Sequence, residues 1–274
     1  KISSNELEIS PNELWRFDSI IQKAIINKSC VVNLSHLNIT VLSSSVTQLT
    51  HVDKLLLNDN QMLMPPEEIT RLIQLQELVL SNNKLTMLPL GINKLQNLTY
   101  LNLCENPLGF LPNELCELLN LQELWIVKCQ LKTLPGKIGN LKCLKKLSVR
   151  ENSIASLPDS FYYLLSLQWL CLAENIFEDL SASFSNFKNL SYLNLNDNQL
   201  VDVPIFVVEM PVLSTLLLKN NKIRSVSDDI IVGLANLTKF DLRDNFFEQK
   251  PEHWKLFVIF ITTNILLAGM AKNT

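Results

Sequence analysis

The side chains that most often carry acid–base or metal chemistry are few in this sequence. Its three histidines, His36, His51 and His253, lie in separate stretches of the chain, so we do not expect them to converge on one general base or metal centre. Glycine is limited to 6 residues, and no phosphate-binding GxxxxGK[ST] or GxGxxG pattern occurs. The sequence therefore predicts no catalytic residues, no metal site and no cofactor.

Carboxylates do recur along the chain, at multiples of about 23 residues and with gaps. The row consists of Asp59, Glu105, Glu151, Glu174, Asp197 and Asp244. Calcium takes about six to eight oxygen ligands, and nothing beside these carboxylates supplies the rest. We interpret the row as a solvated ridge rather than as a calcium site.

The spacing of the carboxylates reflects an internal repeat that covers most of the chain. "LQELVLSNNKLTMLPLGINKL" (75–95) aligns with "LTYLNLCENPLGFLPNELCEL" (98–118) and with "LQELWIVKCQLKTLPGKIGNL" (121–141). Ten units of the form LxxLxLxxNxLxxLPxxIxxLxx follow one another over residues 29–252, each 23 residues long except for one extra residue near Gly233. The architecture must therefore be repetitive.

Each unit predicts one strand and one helical turn. The xxLxLxx portion alternates with period two, which places the fourth and sixth residues inward and the third, fifth and seventh outward. The Ixx-Lxx tail has the spacing of a 3-10 turn or a short helix. A single unit cannot bury its leucines alone, so the units must stack into a solenoid with parallel strands on its inner face.

The ninth place of the unit holds asparagine in eight of the ten units. These are Asn60, Asn83, Asn106, Asn152, Asn175, Asn198, Asn221 and Asn245. An amide side chain both donates and accepts, so it can satisfy the backbone groups of a buried turn. Cys129 and Leu37 occupy this place in the other two units, and we expect Cys129 to be buried, structural and unreactive.

This pattern resembles the leucine-rich-repeat family. Leu-Pro pairs such as Leu88-Pro89 and Leu134-Pro135 further resemble the intracellular Ras-regulating and Scribble-type scaffolds, although Ser43, Ser181 and Ser227 replace the proline. The resemblance implies an α/β solenoid with a curved parallel sheet on the concave face and short helical or 3-10 turns on the convex face. It also implies a protein partner. Small GTPases, phosphatases and kinases are the classes of protein that such repeats bind.

The two ends of the stack need covers. Residues 1–28 form the amino-terminal flank, in which Ser10-Pro11-Asn12-Glu13 reads as a capping box and predicts a cap helix over 11–27. Residues 253–274 form the other flank. Its apolar stretch 256–271 has about 16 residues, which is shorter than the ~20 that span a bilayer. We favour a cap helix there, while a membrane segment and the start of a further domain stay open.

The concave face is the predicted working surface. Four aromatic residues, Tyr100, Trp125, Trp169 and Tyr192, fall at outward places of neighbouring strands, within about 20 Å if strands lie about 4.8 Å apart. Clustered exposed aromatics with nearby arginine are typical of interface hot spots. The predicted partner-binding residues are Tyr100, Trp125, Val127, Lys146, Arg150, Trp169 and Tyr192. The alternative is that the two tryptophans only cover one another.

These features predict a non-enzymatic, monomeric scaffold of intracellular signalling. The formal net charge of -3 gives no support for nucleic-acid binding, and the six scattered cysteines indicate free thiols in a reducing cytoplasm. Two other interpretations stay open. Glycosylation sequons and the apolar end would fit the ectodomain or juxtamembrane part of a leucine-rich-repeat receptor, and the repeats could also target a larger enzyme.

Overall fold

The computed structural model describes residues 11–64, 67–234, 237–247 and 265–266. Two α-helices, α1 (Pro11–Ile26) and α2 (Asp228–Gly233), accompany a long series of short strands. The strands are β1 (Val31–Asn33), β2 (Lys54–Leu56), β3 (Glu77–Val79), β4 (Tyr100–Asn102), β5 (Glu123–Trp125), β6 (Lys146–Ser148), β7 (Trp169–Cys171), β8 (Tyr192–Asn194), β9 (Thr215–Leu217), β10 (Lys239–Asp241) and β11 (Ile265–Leu266).

The strands form one parallel sheet in chain order, from β1 at one edge to β11 at the other. Residues at the same place of successive units lie opposite each other, so Leu101 pairs with Leu124 and Leu124 with Leu147. These central residues are fully buried, whereas the strand residues on either side of Leu124 are half-buried. The predicted alternation is thus confirmed in β2 to β5 and in β8, and the leucines stack into one continuous core.

The opposite side of each coil carries a short helical turn, as the spacing of the tail predicts. The 3-10 helices span Ser44–Gln48, Glu67–Arg71, Ile92–Lys94, Asn113–Glu117, Ile138–Asn140, Asp159–Tyr163, Ala182–Asn186 and Ile205–Glu209. The longer unit near Gly233 has the α-helix α2 instead. An α-helix rises less per residue than a 3-10 helix, so it takes up the additional residue without lengthening the coil.

The eighth place of every unit adopts the left-handed backbone conformation. It begins with His36 (φ 58°) and Asp59 (φ 57°) and continues to Asp244 (φ 58°). Asparagine and aspartate tolerate this region better than most residues. The row of carboxylates that the sequence displays is therefore explained in part by the turn that follows each strand.

The asparagines at the ninth place form the predicted buried ladder. Asn106 donates from its amide nitrogen to the carbonyls of Leu80 and Leu103, each at 2.9 Å. Its amide oxygen accepts from the backbone N–H of Leu85 at 3.0 Å. One side chain thus satisfies backbone groups of two successive coils, which would otherwise be buried without partners.

Cys129 takes its place in this ladder and is fully buried, as predicted. Its thiol donates to the carbonyls of Leu103 at 3.2 Å and Val127 at 3.4 Å. Burial raises the pKa of this thiol to about 12, so it stays protonated at neutral pH. A thiol lacks the amide oxygen that would accept a hydrogen bond from the preceding coil. The backbone N–H groups of that coil find other acceptors. Leu108 N–H donates to the Asn106 carbonyl in its own coil (2.8 Å), and Gly109 N–H donates to the Cys129 carbonyl (3.0 Å).

The amino-terminal edge of the stack is covered by α1. Phe17, Ile21 and Ala24 of this helix are buried in the common core, and Ser45 of the first coil donates to Asp18 at 2.7 Å. At the far end, most of the apolar stretch 256–271 lies outside the described residues. Ile265–Leu266 forms β11 and pairs with β10, so these two residues continue the sheet and are not helical.

Candidate partner-binding face

Three outward rows of side chains define the concave face. The third place of the unit gives one row, in which Tyr100, Glu123, Lys146, Trp169 and Tyr192 lie on consecutive strands. The fifth place gives a second row, running from Asn102 through Trp125, Ser148 and Cys171 to Asn194. The seventh place contributes Val127 and Arg150. The parallel register therefore places five of the predicted residues on the neighbouring strands β4 to β8, and Val127 and Arg150 just after β5 and β6.

The aromatic side chains of this face are in direct contact across the strands. The rings of Trp125 and Trp169 lie 5.2 Å apart between centroids and are tilted by 45°. The rings of Trp169 and Tyr192 are stacked at 5.0 Å with an angle of 9°. Such ring pairs are typically worth ~0.5–1.5 kcal/mol beyond the area that they bury. The three rings, which we call the aromatic cluster, thus form one continuous surface over β5 to β8.

Trp125 and Trp169 come from different rows and strands, so their contact passes over β6. The fifth-place residues of β6 and β7, Ser148 and Cys171, are small and almost completely buried. Small residues at these two places leave room for the indole rings to lean towards each other. The tryptophans therefore do cover one another, yet both they and Tyr192 stay half-buried and keep part of their surface available.

An ion pair borders the aromatic cluster on the third-place row. Lys146 Nζ lies 2.8 Å from Glu123 Oε1, and Trp125 Nε1 donates to Glu123 Oε2 at 3.4 Å. The carboxylate thus orients both the lysine and the indole. Because Lys146 is about half exposed, this surface pair adds little to stability and remains free to exchange partners.

A second ion pair borders the cluster on the seventh-place row. Arg150 Nε donates to Glu174 Oε1 at 2.7 Å, and this hydrogen bond raises the pKa of the guanidinium further above its usual range. Val127 occupies the same place of the preceding coil and is half-buried, and its backbone N–H donates to Cys104 Sγ at 3.4 Å. The predicted cations are therefore both paired with carboxylates of the same face.

Tyr100 stands apart from the other aromatic residues. It lies opposite Glu123 on the neighbouring strand and, within the described residues, makes no ring contact with the aromatic cluster. Burial raises the pKa of its hydroxyl, so it stays a neutral donor. Sequence reasoning left Glu123 and Glu174 out of the site. The signal for Glu123 was available, because it lies one unit before Lys146 and hence directly opposite in a parallel register.

Two basic residues of the carboxy-terminal third, Lys219 and Arg243, are also paired. Arg243 donates through Nε and Nη2 to the two carboxylate oxygens of Asp241, at 2.9 and 2.7 Å. Lys219 Nζ lies 3.4 Å from Asp244. Although burial opposes ionisation of Asp241, the hydrogen bonds from Arg243 outweigh it and lower the pKa of this carboxyl. At these two places a nearby carboxylate thus balances the cation.

Metal ligands do not gather anywhere in the part of the chain that the structure describes. It contains no cluster of histidine, cysteine, aspartate or glutamate with the geometry of a metal site. Among the same residues, none of the helices has the length and apolar character that crossing a bilayer requires.

The family models agree with the repeat and with the fold. The leucine-rich-repeat models match residues 74–95, 97–118 and 137–200. The chain contains leucine-rich repeats. Its sheet of parallel strands with 3-10 turns on the other side is the solenoid of that family. No sequence among the curated proteins matches the chain. Leucine-rich repeats generally mediate protein–protein interaction and are typically non-enzymatic.

Three solved structures illustrate the similarity. The plant peptide hormone receptor RGFR1, solved in complex with RGF2, is 26% identical with a TM-score of 0.68, over 82% of this chain and 38% of that one. A TDR receptor is 23% identical with a TM-score of 0.73, and the match covers 84% of this chain and 41% of the receptor chain. TLR13, solved in a complex with ssRNA13, is 27% identical with a TM-score of 0.66, and the match covers 78% of this chain and 32% of the TLR13 chain. The leucine-rich-repeat protein thus spans less than half of each of these chains.

Proposed function

We propose that this leucine-rich-repeat protein is a non-enzymatic scaffold that binds a protein partner on its concave face and acts in cytoplasmic signalling. The observation that carries the proposal is the aromatic cluster of Trp125, Trp169 and Tyr192. Tryptophan and tyrosine are enriched in interface hot spots because they offer a large contact area with few rotatable bonds. Nothing in the repeat requires aromatic residues at these outward places.

The surroundings of the cluster suit a protein partner. The half-buried rings supply an apolar centre, while the Lys146–Glu123 and Arg150–Glu174 pairs supply a polar rim. This division into an apolar centre and a polar rim is the usual anatomy of protein interfaces. Small GTPases, phosphatases and kinases are the partner classes that the family resemblance favours.

The cysteines and sequons support an intracellular location. All six cysteines are unpaired, and Cys30 and Cys143 are exposed, as expected for a reducing compartment. Two of the asparagines in glycosylation sequons make structural hydrogen bonds. Asn97 donates to the Ile73 carbonyl and Asn189 to the Leu165 carbonyl, each at 2.9 Å. Their presence is thus explained by the repeat and does not require glycosylation.

A receptor ectodomain is the second candidate function. RGFR1 was solved with the peptide RGF2, and the part of RGFR1 that resembles this chain is of similar fold. Expression in eukaryotic cells followed by mass spectrometry of the sequon peptides separates the two candidates. Glycans on the exposed Asn27 and Asn38 would support the receptor and contradict the cytoplasmic scaffold.

Replacement of both Trp125 and Trp169 by alanine tests the binding site. We expect the double variant to stay folded, because both side chains are outside the leucine core, and to lose at least about 2 kcal/mol of partner affinity. A photo-crosslinking amino acid at Val127, beside Trp125, first captures the partner, and the affinity of the purified complex is then measured by calorimetry.

The matched control replaces two aromatic residues that lie outside the concave rows, Tyr163 and Phe246, whose exposed fractions are 60% and 61%. This control is expected to bind normally. Equal affinity of wild type and the Trp125/Trp169 variant, with unchanged circular dichroism, would refute the aromatic cluster as the binding site.

A further inference from the structure

A second group of apolar side chains lies outside the concave face. The thirteenth place of the unit falls between the asparagine turn and the helical turn, and it is exposed in each of the nine units 1–9. In units 1–4 it holds Val41 (53% exposed), Met64 (58%), Met87 (44%) and Phe110 (59%). Leu63 (52%) and Leu90 (80%) lie one place before and three places after this row. We call these six residues the apolar stripe.

The later units serve as an internal control for the four thirteenth-place residues of the stripe. At the same thirteenth place, units 5–9 hold polar residues, which are Thr133, Ser156, Asp179, Asp202 and Ser225. These side chains are exposed as well, so the coil accepts a polar residue there. The apolar types in units 1–4 are therefore not required by the solenoid, and a contiguous exposed apolar surface of this kind marks an interaction site.

The area of the stripe fits one half of a protein–protein interface. Large aliphatic and aromatic side chains present roughly 150–200 Å² each when fully exposed, so six of them at about half exposure or more offer on the order of 500 Å² of apolar surface. A standard interface takes about 800 Å² from each partner, of which a little over half is apolar, or roughly 450 Å². The stripe alone thus supplies the apolar share of a standard interface.

The charges around the stripe fit a second copy of the same chain. Over places ten to sixteen of units 1–4, the only charged residues are Lys84 and Glu67. Both are exposed, and neither has an ion-pair partner within the described residues. In a twofold interface every contact between two different residues occurs twice, because symmetry repeats it with the two copies exchanged. One cation and one anion on the stripe therefore form two complementary pairs between identical copies.

We propose that the apolar stripe is the interface of a twofold homodimer, in which Lys84 of each copy faces Glu67 of the other. The concave face of both copies stays open, since the stripe lies on a different side of the coil. The chain, which its sequence predicts to be monomeric, would thus present two partner-binding faces in one assembly. Two linked sites bind a multivalent partner more tightly than either site alone.

Sedimentation equilibrium of the purified chain tests the proposal. We expect a monomer–dimer equilibrium with a dissociation constant of about 1–100 µM, at the weak end for an interface of this size. Met87→Asp together with Phe110→Asp is expected to weaken dimerisation at least about tenfold, because it places two charges in each half of the apolar centre. A wild-type chain that stays monomeric at about 200 µM overturns the proposal.

Matched variants separate the stripe from the effect of added charge and from the concave face. Thr133→Asp with Ser156→Asp adds the same charges at the same place of units 5 and 6, and this variant is expected to dimerise like wild type. The Trp125/Trp169 alanine variant is also expected to dimerise normally. Lys84→Glu is expected to weaken the dimer severalfold and Lys84→Glu with Glu67→Lys to restore it. Failure of the second exchange to restore dimerisation contradicts the twofold arrangement.

Discussion

Trp125 shows at the scale of one residue what a repeat does and does not determine. Leu124 and Ile126 on either side of it are dictated by the core, but its own place is outward, and the type of residue there is free. The sequence predicts that Trp125 and Trp169 share a face, because strand phase is fixed by the repeat. It leaves open whether their rings touch over β6, since this depends on the small Ser148 between them. Side-chain packing of this kind requires coordinates.

Asp241 and Arg243 allow a prediction about acid stability at the same scale. The pKa of the buried Asp241 carboxyl is lowered in the folded state, since hydrogen bonds from Arg243 outweigh the cost of burial. A lowered folded pKa contributes stability above the unfolded value of about 3.9, and this contribution is lost as the pH falls towards the folded value. Arg243→Ala is therefore expected to lower the thermal midpoint more at pH 7 than at pH 3.

The measurement is thermal unfolding by circular dichroism across this pH range. A second variant, Arg243→Ala with Asp241→Asn, removes the buried charge as well and is expected to recover much of the midpoint at pH 7. If Arg243→Ala shifts the midpoint equally at both pH values, the carboxylate is not the group that depends on Arg243.

At the scale of elements, the repeat period predicts the strands, the helical turns and the asparagine ladder, because each of them depends on a residue type that recurs at a fixed place of the unit. The exceptions are less predictable. Pro107 lacks the N–H that the tenth place usually supplies, Gly109 adopts a φ of 69°, and Cys129 enters the ladder in the next coil. The three departures adjust to one another across two units. A consensus pattern describes each place of the unit separately. The altered hydrogen bonds between these coils are therefore visible only in the structure.

The packing of neighbouring helical turns leads to a prediction for two glycines in one stretch. A Cβ added to Gly139 would clash with the carbonyl oxygen of Ser160 in the next coil, whereas a Cβ at Gly136 meets nothing within 4 Å. Gly139→Ala must therefore push two coils apart, and we expect a loss of about 1–3 kcal/mol or more in the free energy of unfolding. Gly136→Ala is expected to be neutral or stabilising by up to about 1 kcal/mol.

Urea denaturation of the two variants beside the wild type measures both effects. The pair is well matched, because the same substitution is made three residues apart in the same turn. Equal stability of the two variants would show that the coils on the convex side tolerate separation.

At the scale of the whole molecule, stability is a property of neighbouring coils. Each strand pairs only with the strands before and after it, and the leucine core runs through the stack without a separate centre. In such an array the free energy of unfolding is approximately a sum of terms for single repeats and for the contacts between neighbours. The concave face in the middle of the stack is therefore supported from both sides, while the first coils depend on α1.

The cap helix allows this dependence to be tested. Ile21 of α1 is fully buried against the first coils, so Ile21→Asp buries a charge and is expected to detach the helix. Because the effect passes from one coil to the next, amides of β1 and β2 should lose hydrogen-exchange protection first, and those of β6 and β7 should keep it. Gln22→Asp, at an exposed place of the same helix, serves as the control. Equal loss of protection in all strands would show instead that the solenoid unfolds as one cooperative unit, and the aromatic cluster would then depend on the cap as much as the first coil does.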